Sequence, residues 1–264
     1  MPVVPLPHAF LTTPIAHRGY HAQGAARPEN SRGAFRAAVD AGYGIELDVQ
    51  RSSDGQAMVF HDDDLDRLTK ATGPIGRCSA ADLARIALCD GDGETIPTLS
   101  EVLAIVAGRV PLLIEIKENL GTMANTEGRL EAAVADALRD YTGPVAVMSF
   151  NPNCIAHMAR LAPDVPRGLT TESYVPEKSL PIPPAICDRL REIPDYGRTE
   201  ASFISHEATD LDRPRVADLK AAGASVLCWT IRSPSAEQAA RKTADNITFE
   251  GYAPVLALDT TIPG

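Results

Sequence analysis

Short apolar runs alternate with helical patterns along the chain, and this alternation limits the fold more than any other feature. The candidate strands are Ile15–His17, Ile45–Val49, Leu112–Ile116, Val145–Ser149, Arg167–Leu169, Ser202–Ser205, Ser225–Trp229 and Ile247–Phe249. Helical patterns fall between them at Ser31–Ala41, Leu99–Ala107, Glu127–Asp140, Pro152–Leu161, Arg213–Ala222 and Ser235–Ala244. A strand, then a helix, then a strand again implies a parallel sheet. Eight such strands within 264 residues suit a closed (β/α)8 barrel, a TIM barrel, better than an open α/β sheet. Neither strict repeats nor linkers are seen, so residues 1–264 are read as one domain.

The ends of the helical patterns carry capping residues. Asn30 or Ser31 can accept from first-turn amides, and Gly42 suits a left-handed end. Asn151-Pro152 is a cap followed by proline at the first helical position. The span between Leu169 and Ser202 is different. Prolines at 176, 181, 183, 184 and 194 make it read as mostly loop. Residues 62–96 form an insertion with one short helical stretch, Ser79–Ile86, near the expected mouth of the barrel.

Two strands sort their faces cleanly. Ile45, Leu47 and Val49 alternate with Glu46 and Asp48, while Ile114 and Ile116 alternate with Glu115 and Lys117. In a barrel the apolar sides meet the helices and the charged sides face the mouth. Three converging carboxylates cannot all stay ionised without a cation. All-oxygen ligation favours one hard divalent ion, Mg²⁺ or Ca²⁺. The competing reading pairs Glu46, Asp48 and Glu115 with Arg18 and Lys117 and needs no metal.

Two histidines stand 44 positions apart, His17 at a strand end beside Arg18 and His61 after the apolar run Met58–Phe60 and before Asp62. An imidazole can move a proton near neutrality. Phosphodiester cleavage needs one group to activate the nucleophile and another to protonate the leaving alkoxide. His17 and His61 can share these tasks, and Arg18 and Lys117 can neutralise charge on the phosphoryl oxygens. Trp229, the one tryptophan, either packs in the core or meets the carbon skeleton of a substrate. Glu29 either supports the site or caps the helix behind it. His206 reads as a solvent or structural residue, and His8, His21 and His157 have no supporting neighbours in sequence. Asp62-Asp63-Asp64 lacks the spacing of an EF-hand loop.

The formal charge of −10 disfavours nucleic acid and anionic membrane as partners. Five scattered cysteines without a CxxC pair suit a reducing compartment. Neither a signal peptide nor a membrane span is evident, so a cytoplasmic protein is expected. No oligomeric state is assigned.

His17-Arg18-Gly19, Pro28-Glu29-Asn30-Ser31, Glu46-Leu47-Asp48, His61-Asp62, Ile96-Pro97-Thr98-Leu99 and Ile114-Glu115-Ile116-Lys117 together resemble the signature of glycerophosphodiester phosphodiesterases. The resemblance thins through Ser149-Phe150 and Trp229-Thr230. It implies a (β/α)8 barrel, a divalent metal held by Glu46, Asp48 and Glu115, His17 and His61 as the acid–base pair, and phosphate on Arg18 and Lys117. The implied reaction releases sn-glycerol 3-phosphate and an alcohol from a small glycerophosphodiester. The attacking group is either water or the glycerol 2-hydroxyl. Lysophospholipids or sugar phosphodiesters are the alternative substrates, and a non-catalytic phosphodiester-binding protein is a third reading. Two departures from the family pattern lie near the C-terminus, Arg232 after Trp229-Thr230-Ile231 and Glu250 where an aspartate is usual.

Overall fold

The computed structural model describes residues 3–22, 24–117, 122–175 and 182–256. Eight parallel strands close into a barrel: β1 (Ile15–Ala16), β2 (Gly44–Arg51), β4 (Leu112–Ile116), β5 (Val145–Ser149), β6 (Arg167–Thr171), β7 (Phe203–Glu207), β8 (Ser225–Ile231) and β9 (Asn246–Phe249). Pairing of β1 with both β9 and β2 joins the two edges, with Ile15 opposite Thr248 and Gly44. The short strand β3 (Ala57–Val59) lies outside this ring and runs antiparallel to β2, Val49 opposite Val59. All eight expected strands are present, and the α/β barrel is the fold.

Helices cover the outside. They are α2 (Arg32–Ala41), α4 (Leu99–Val106), α5 (Arg129–Leu138), α6 (Pro152–Leu161), α7 (Pro184–Arg191), α8 (Pro214–Ala221) and α9 (Pro234–Ala240), with two short pieces, α1 (Ala9–Thr12) and α3 (Ala80–Leu83). Ser31, not Asn30, caps α2 by accepting from the Ala34 amide at 3.1 Å. Thr98 and Glu101 form a reciprocal capping box on α4. The span expected to be mostly loop carries one helix, α7, with turns and coil in the described residues on either side of it. Pro184 occupies its first position, where the missing N–H costs nothing. Residues 176–181 of that proline-rich stretch lie outside the described residues.

The core has two layers, set by the period of two along each strand. Ile45, Leu47, Val49, Leu112, Ile114 and Ile116 pack outward against the helices. Ile15, Leu113, Ala146, Phe203 and Leu227 fill the lower barrel and bury Phe10 of α1. Asn246 ties this end down by donating to the carbonyls of Phe10 (2.8 Å) and Thr13 (2.6 Å). Gly168 lets Phe203 lie flat across the interior, because a Cβ there would meet its ring at 2.4 Å. Phe10→Ala opens the sealed end, so a loss of about 3–5 kcal/mol is expected by urea unfolding. A loss under about 1 kcal/mol would mean that α1 does not seal the barrel.

The insertion after His61 packs Leu65, Ile75, Leu83, Leu88 and Ile96 into a small core with Met58 and Phe60 from the run before it. Glu94 docks its far end onto α2 by accepting from the Gly33 amide at 2.8 Å. Among the described residues, no helix is long and apolar enough to cross a membrane.

Candidate active site

Barrel topology explains how histidines far apart in sequence share one cavity. His17 leaves the end of β1, where its amide donates to the Phe249 carbonyl at 2.9 Å. His61 arrives by a hairpin. β2 overshoots the barrel rim, turns near Gly55, and returns as β3, so that the Phe60 amide reaches the Asp48 carbonyl at 3.1 Å. Gln50 steadies the arrival by donating to the carbonyl of His61 at 3.2 Å and to Asp63 at 3.0 Å. His17, Arg18, Glu46, Asp48, His61, Glu115, Lys117 and Trp229 all line this one cavity, along with Met148, Phe150 and Thr248. The eight residues singled out from sequence are thus brought together at the C-terminal mouth, where barrel enzymes keep their sites.

The turn after His17 is built for close approach. Arg18 and Gly19 both adopt left-handed backbone, φ 54° and 79°. This points the Arg18 amide at Glu46, which accepts it at 2.9 Å. A side chain on Gly19 would meet Ala34 and Phe35 of α2 at 3.0 Å, so glycine serves both the φ and the packing.

Glu46, Asp48 and Glu115 offer one oxygen each within 4.8 Å of one another, and all three are buried. Register places Asp48 beside Glu115 on neighbouring strands. Lys117 lies 3.1 Å from Glu115 and 3.5 Å from Asp48, and Arg18 lies 3.5 Å from Asp48. Asn30 donates to Asp48 at 2.9 Å. Burial works against ionised Asp48, but Lys117, His61, Arg18 and the Asn30 amide outweigh it and hold the carboxyl below the usual range. Glu46 behaves oppositely. Burial raises it well above the ordinary value, and Asp48 and Glu115 push the same way. Burial disfavours the Lys117 ammonium, yet Glu115 and Asp48 hold its pKa above normal. Two cations therefore face three carboxylates, leaving a charge deficit that a hard divalent cation fits. The buried hydroxyl of Thr248, on the same cavity wall, has no hydrogen-bond partner among the described residues.

Each imidazole is held by a carboxylate. His17 Nδ1 lies 2.5 Å from Glu250 Oε2, and His61 Nδ1 lies 2.6 Å from Asp62 Oδ1. An ionised carboxylate only accepts, so these bonds place a proton on Nδ1 and leave Nε2 free for chemistry. Burial lowers the pKa of His17; the Glu250 bond opposes that and the Arg18 charge adds to it. Glu250 is itself held far below the carboxylate range, chiefly by its bond to His17. Arg232 donates to its other oxygen at 2.6 Å, and His21 lies 3.8 Å away.

Several partnerships here are invisible in sequence. The two departures are partners of each other, Arg232 donating to Glu250, and Glu250 in turn holds His17. Asn30, a cap candidate, holds Asp48 instead. Glu29 caps nothing and accepts from Arg18 at 2.7 Å. His21 does have a neighbour, Glu250. His206 is fully buried, bonded to Thr171 at 2.8 Å and to Asp210 at 3.2 Å, which makes it structural. Trp229 bonds the Ser205 carbonyl at 3.0 Å and meets Phe150 edge-on at 5.6 Å, which leaves it part of the cavity wall.

A parallel barrel with this mouth falls in the class of phosphoric diester hydrolases built on the (β/α)8 fold. A family model described as "Glycerophosphoryl diester phosphodiesterase family" matches residues 17–248, and the chain belongs to that family. A glycerophosphodiester phosphodiesterase of Caldanaerobacter subterraneus is 33% identical over 165 residues, which are 60% of this chain and 66% of that protein. Another, from Bacillus altitudinis, is 30% identical over 178 residues, 62% of this chain and 69% of that one. A solved phosphodiesterase from Oleispira antarctica, in complex with the product sn-glycerol-3-phosphate, superposes with a TM-score of 0.72 at 28% identity, covering 92% of this chain and 94% of that one.

Proposed function

We propose that this chain hydrolyses small glycerophosphodiesters to sn-glycerol 3-phosphate and a free alcohol. The observation that carries the reading is the single cavity where three buried carboxylates, two carboxylate-held imidazoles and two cations meet. Glu46, Asp48 and Glu115 would hold one divalent cation, Mg²⁺ or Ca²⁺, which would supply Lewis-acid stabilisation of phosphoryl charge. The chain's own residues do the rest. Arg18 and Lys117 bind the phosphoryl oxygens and offset their developing charge. One of His17 and His61 takes the proton of the attacking group, water or the glycerol 2-hydroxyl, at Nε2, while the other, protonated, gives a proton to the departing alkoxide. On the hydroxyl route water then opens the cyclic phosphate to sn-glycerol 3-phosphate. Glu250 and Asp62 keep each ring in the tautomer that this needs. Phe150 and Trp229 give the wall an apolar side for the carbon skeleton of the substrate. Five cysteines that form no disulfide among the described residues fit a cytoplasmic setting.

The test is release of sn-glycerol 3-phosphate from glycerophosphocholine, glycerophosphoethanolamine and glycerophosphoglycerol with divalent metal present. Release is expected, and relative rates rank the alcohols. No release from any of them, with release from a lysophospholipid or a sugar phosphodiester, would replace this substrate class with that one.

A further inference from the structure

Arg67, in the segment inserted after His61, ties that segment to two carboxylates at the rim of the site. Its Nε and Nη2 donate to the two oxygens of Asp62 at 2.6 and 2.9 Å. Its Nη1 and Nη2 donate to the two oxygens of Glu29 at 2.9 and 2.7 Å. One guanidinium thus forks onto two carboxylates at once. Asp62 is the carboxylate that holds His61, and Glu29 is the one that holds Arg18 at 2.7 Å.

We propose that Arg67 is a positioning residue that sets His61 and Arg18 in register with each other across the cavity. The proposal rests on the reading above, in which His61 moves a proton and Arg18 binds phosphate. Neighbouring Leu65 is buried in the insertion's own core, which fixes where the guanidinium starts. Without Arg67, Asp62 and Glu29 face each other as like charges, and each turns to whatever cation or water is nearest. His61 and Arg18 then lose their common reference. The side chain of Arg67 is 48% exposed, and ion pairs that open to water add little to stability. Its removal should therefore register in the kinetics and hardly at all in unfolding. A lysine keeps the charge but cannot offer each of the two carboxylates a planar pair of N–H groups.

The experiment compares Arg67→Ala and Arg67→Lys in the whole chain, and repeats Arg67→Ala with Asp62→Asn, with Glu29→Gln and with both. Arg67→Ala is expected to lower kcat/KM by about 10–100-fold, the usual cost of removing an orienting partner, with kcat falling and KM rising. The thermal midpoint should stay within about 4 °C of wild type, which is what ~1 kcal/mol costs a domain this large. Arg67→Lys should stay nearer to alanine than to wild type. With Asp62→Asn the kcat part of the Arg67 effect should vanish, and with Glu29→Gln the KM part. Nitrogen NMR of the His61 ring should show its Nδ1–H signal displaced in Arg67→Ala. Unchanged kcat/KM, a lysine variant equal to wild type, or a full Arg67 effect in the combined background would overturn the proposal. If wild type released no sn-glycerol 3-phosphate, the functional reading would fall by itself. An unmoved His61 ring signal would then still overturn the contact proposed for Arg67.

Discussion

Alanine at His17 or at His61 is expected to lower turnover by about 10²–10⁴-fold, the range a positioned acid or base contributes. The fold should survive either change, because neither deletion strands its carboxylate. Without His17, Glu250 keeps Arg232 at 2.6 Å; without His61, Asp62 keeps the Arg67 fork. Thermal midpoints within about 4 °C of wild type would separate lost chemistry from lost structure. The two histidines can also be told apart. A substrate whose leaving group is p-nitrophenolate departs without needing a proton. Whichever histidine serves as general acid should be largely dispensable for that substrate, whereas the general base stays essential. Equal activity of one variant on the natural and the activated diester, both at the wild-type rate, would remove that residue from proton transfer.

The barrel was legible because its strands carry their inward residues openly. Alternation of Glu46 and Asp48 with Ile45, Leu47 and Val49 reveals both the strand and the face that enters the cavity. Elements that failed to show lack such periodicity. Helix α1 has four residues, too few for a 3.6-residue pattern. Helix α7 begins on a proline, which marks a helix start as well as a break, so the prolines around it hide its bounds within a span that is otherwise turn and coil where described. The eight residues could be picked out because each lies on the charged face of a strand or close to a strand end. Apart from Asp62, next to His61, their partners could not. Glu250 is 233 positions from His17 and Arg67 is 38 from Glu29, so only closure of the barrel and folding of the insertion bring them together. The role of Asn30 was hidden for another reason. Its position beside Ser31 made it an equally good helix cap, and only its left-handed backbone, φ 55°, turns the amide toward Asp48 instead.

Two isosteric changes in the carboxylate cluster should move stability in opposite directions before any metal is added. Asp48 is tied to Lys117, Arg18 and Asn30, which together favour its ionised form. Asp48→Asn removes the charge those groups have gathered around and should destabilise the metal-free protein. Glu46 is buried against Asp48 and Glu115, which disfavour its charge. Its oxygen accepts the Arg18 amide, and glutamine can accept the same bond. Glu46→Gln should therefore leave the metal-free protein as stable as wild type or more so. Adding Mg²⁺ or Ca²⁺ reverses the ranking. Wild type should gain thermal stability by mass action, about 2.7 kcal/mol at a hundredfold excess over Kd. Glu46→Gln should gain far less, since loss of a direct ligand ought to weaken binding by at least the about 10–100-fold that an outer partner contributes. Chelation should abolish wild-type activity, and either ion should restore it if the site accepts both. The ion-pair reading, in which these carboxylates only balance Arg18 and Lys117, makes the contrary prediction. Glu46→Gln would then cost stability in chelator, and titrated metal would shift neither protein. Calorimetry of metal binding alongside thermal unfolding of the three proteins decides between the two readings, because only a cation site makes Glu46 a burden when empty and an asset when filled.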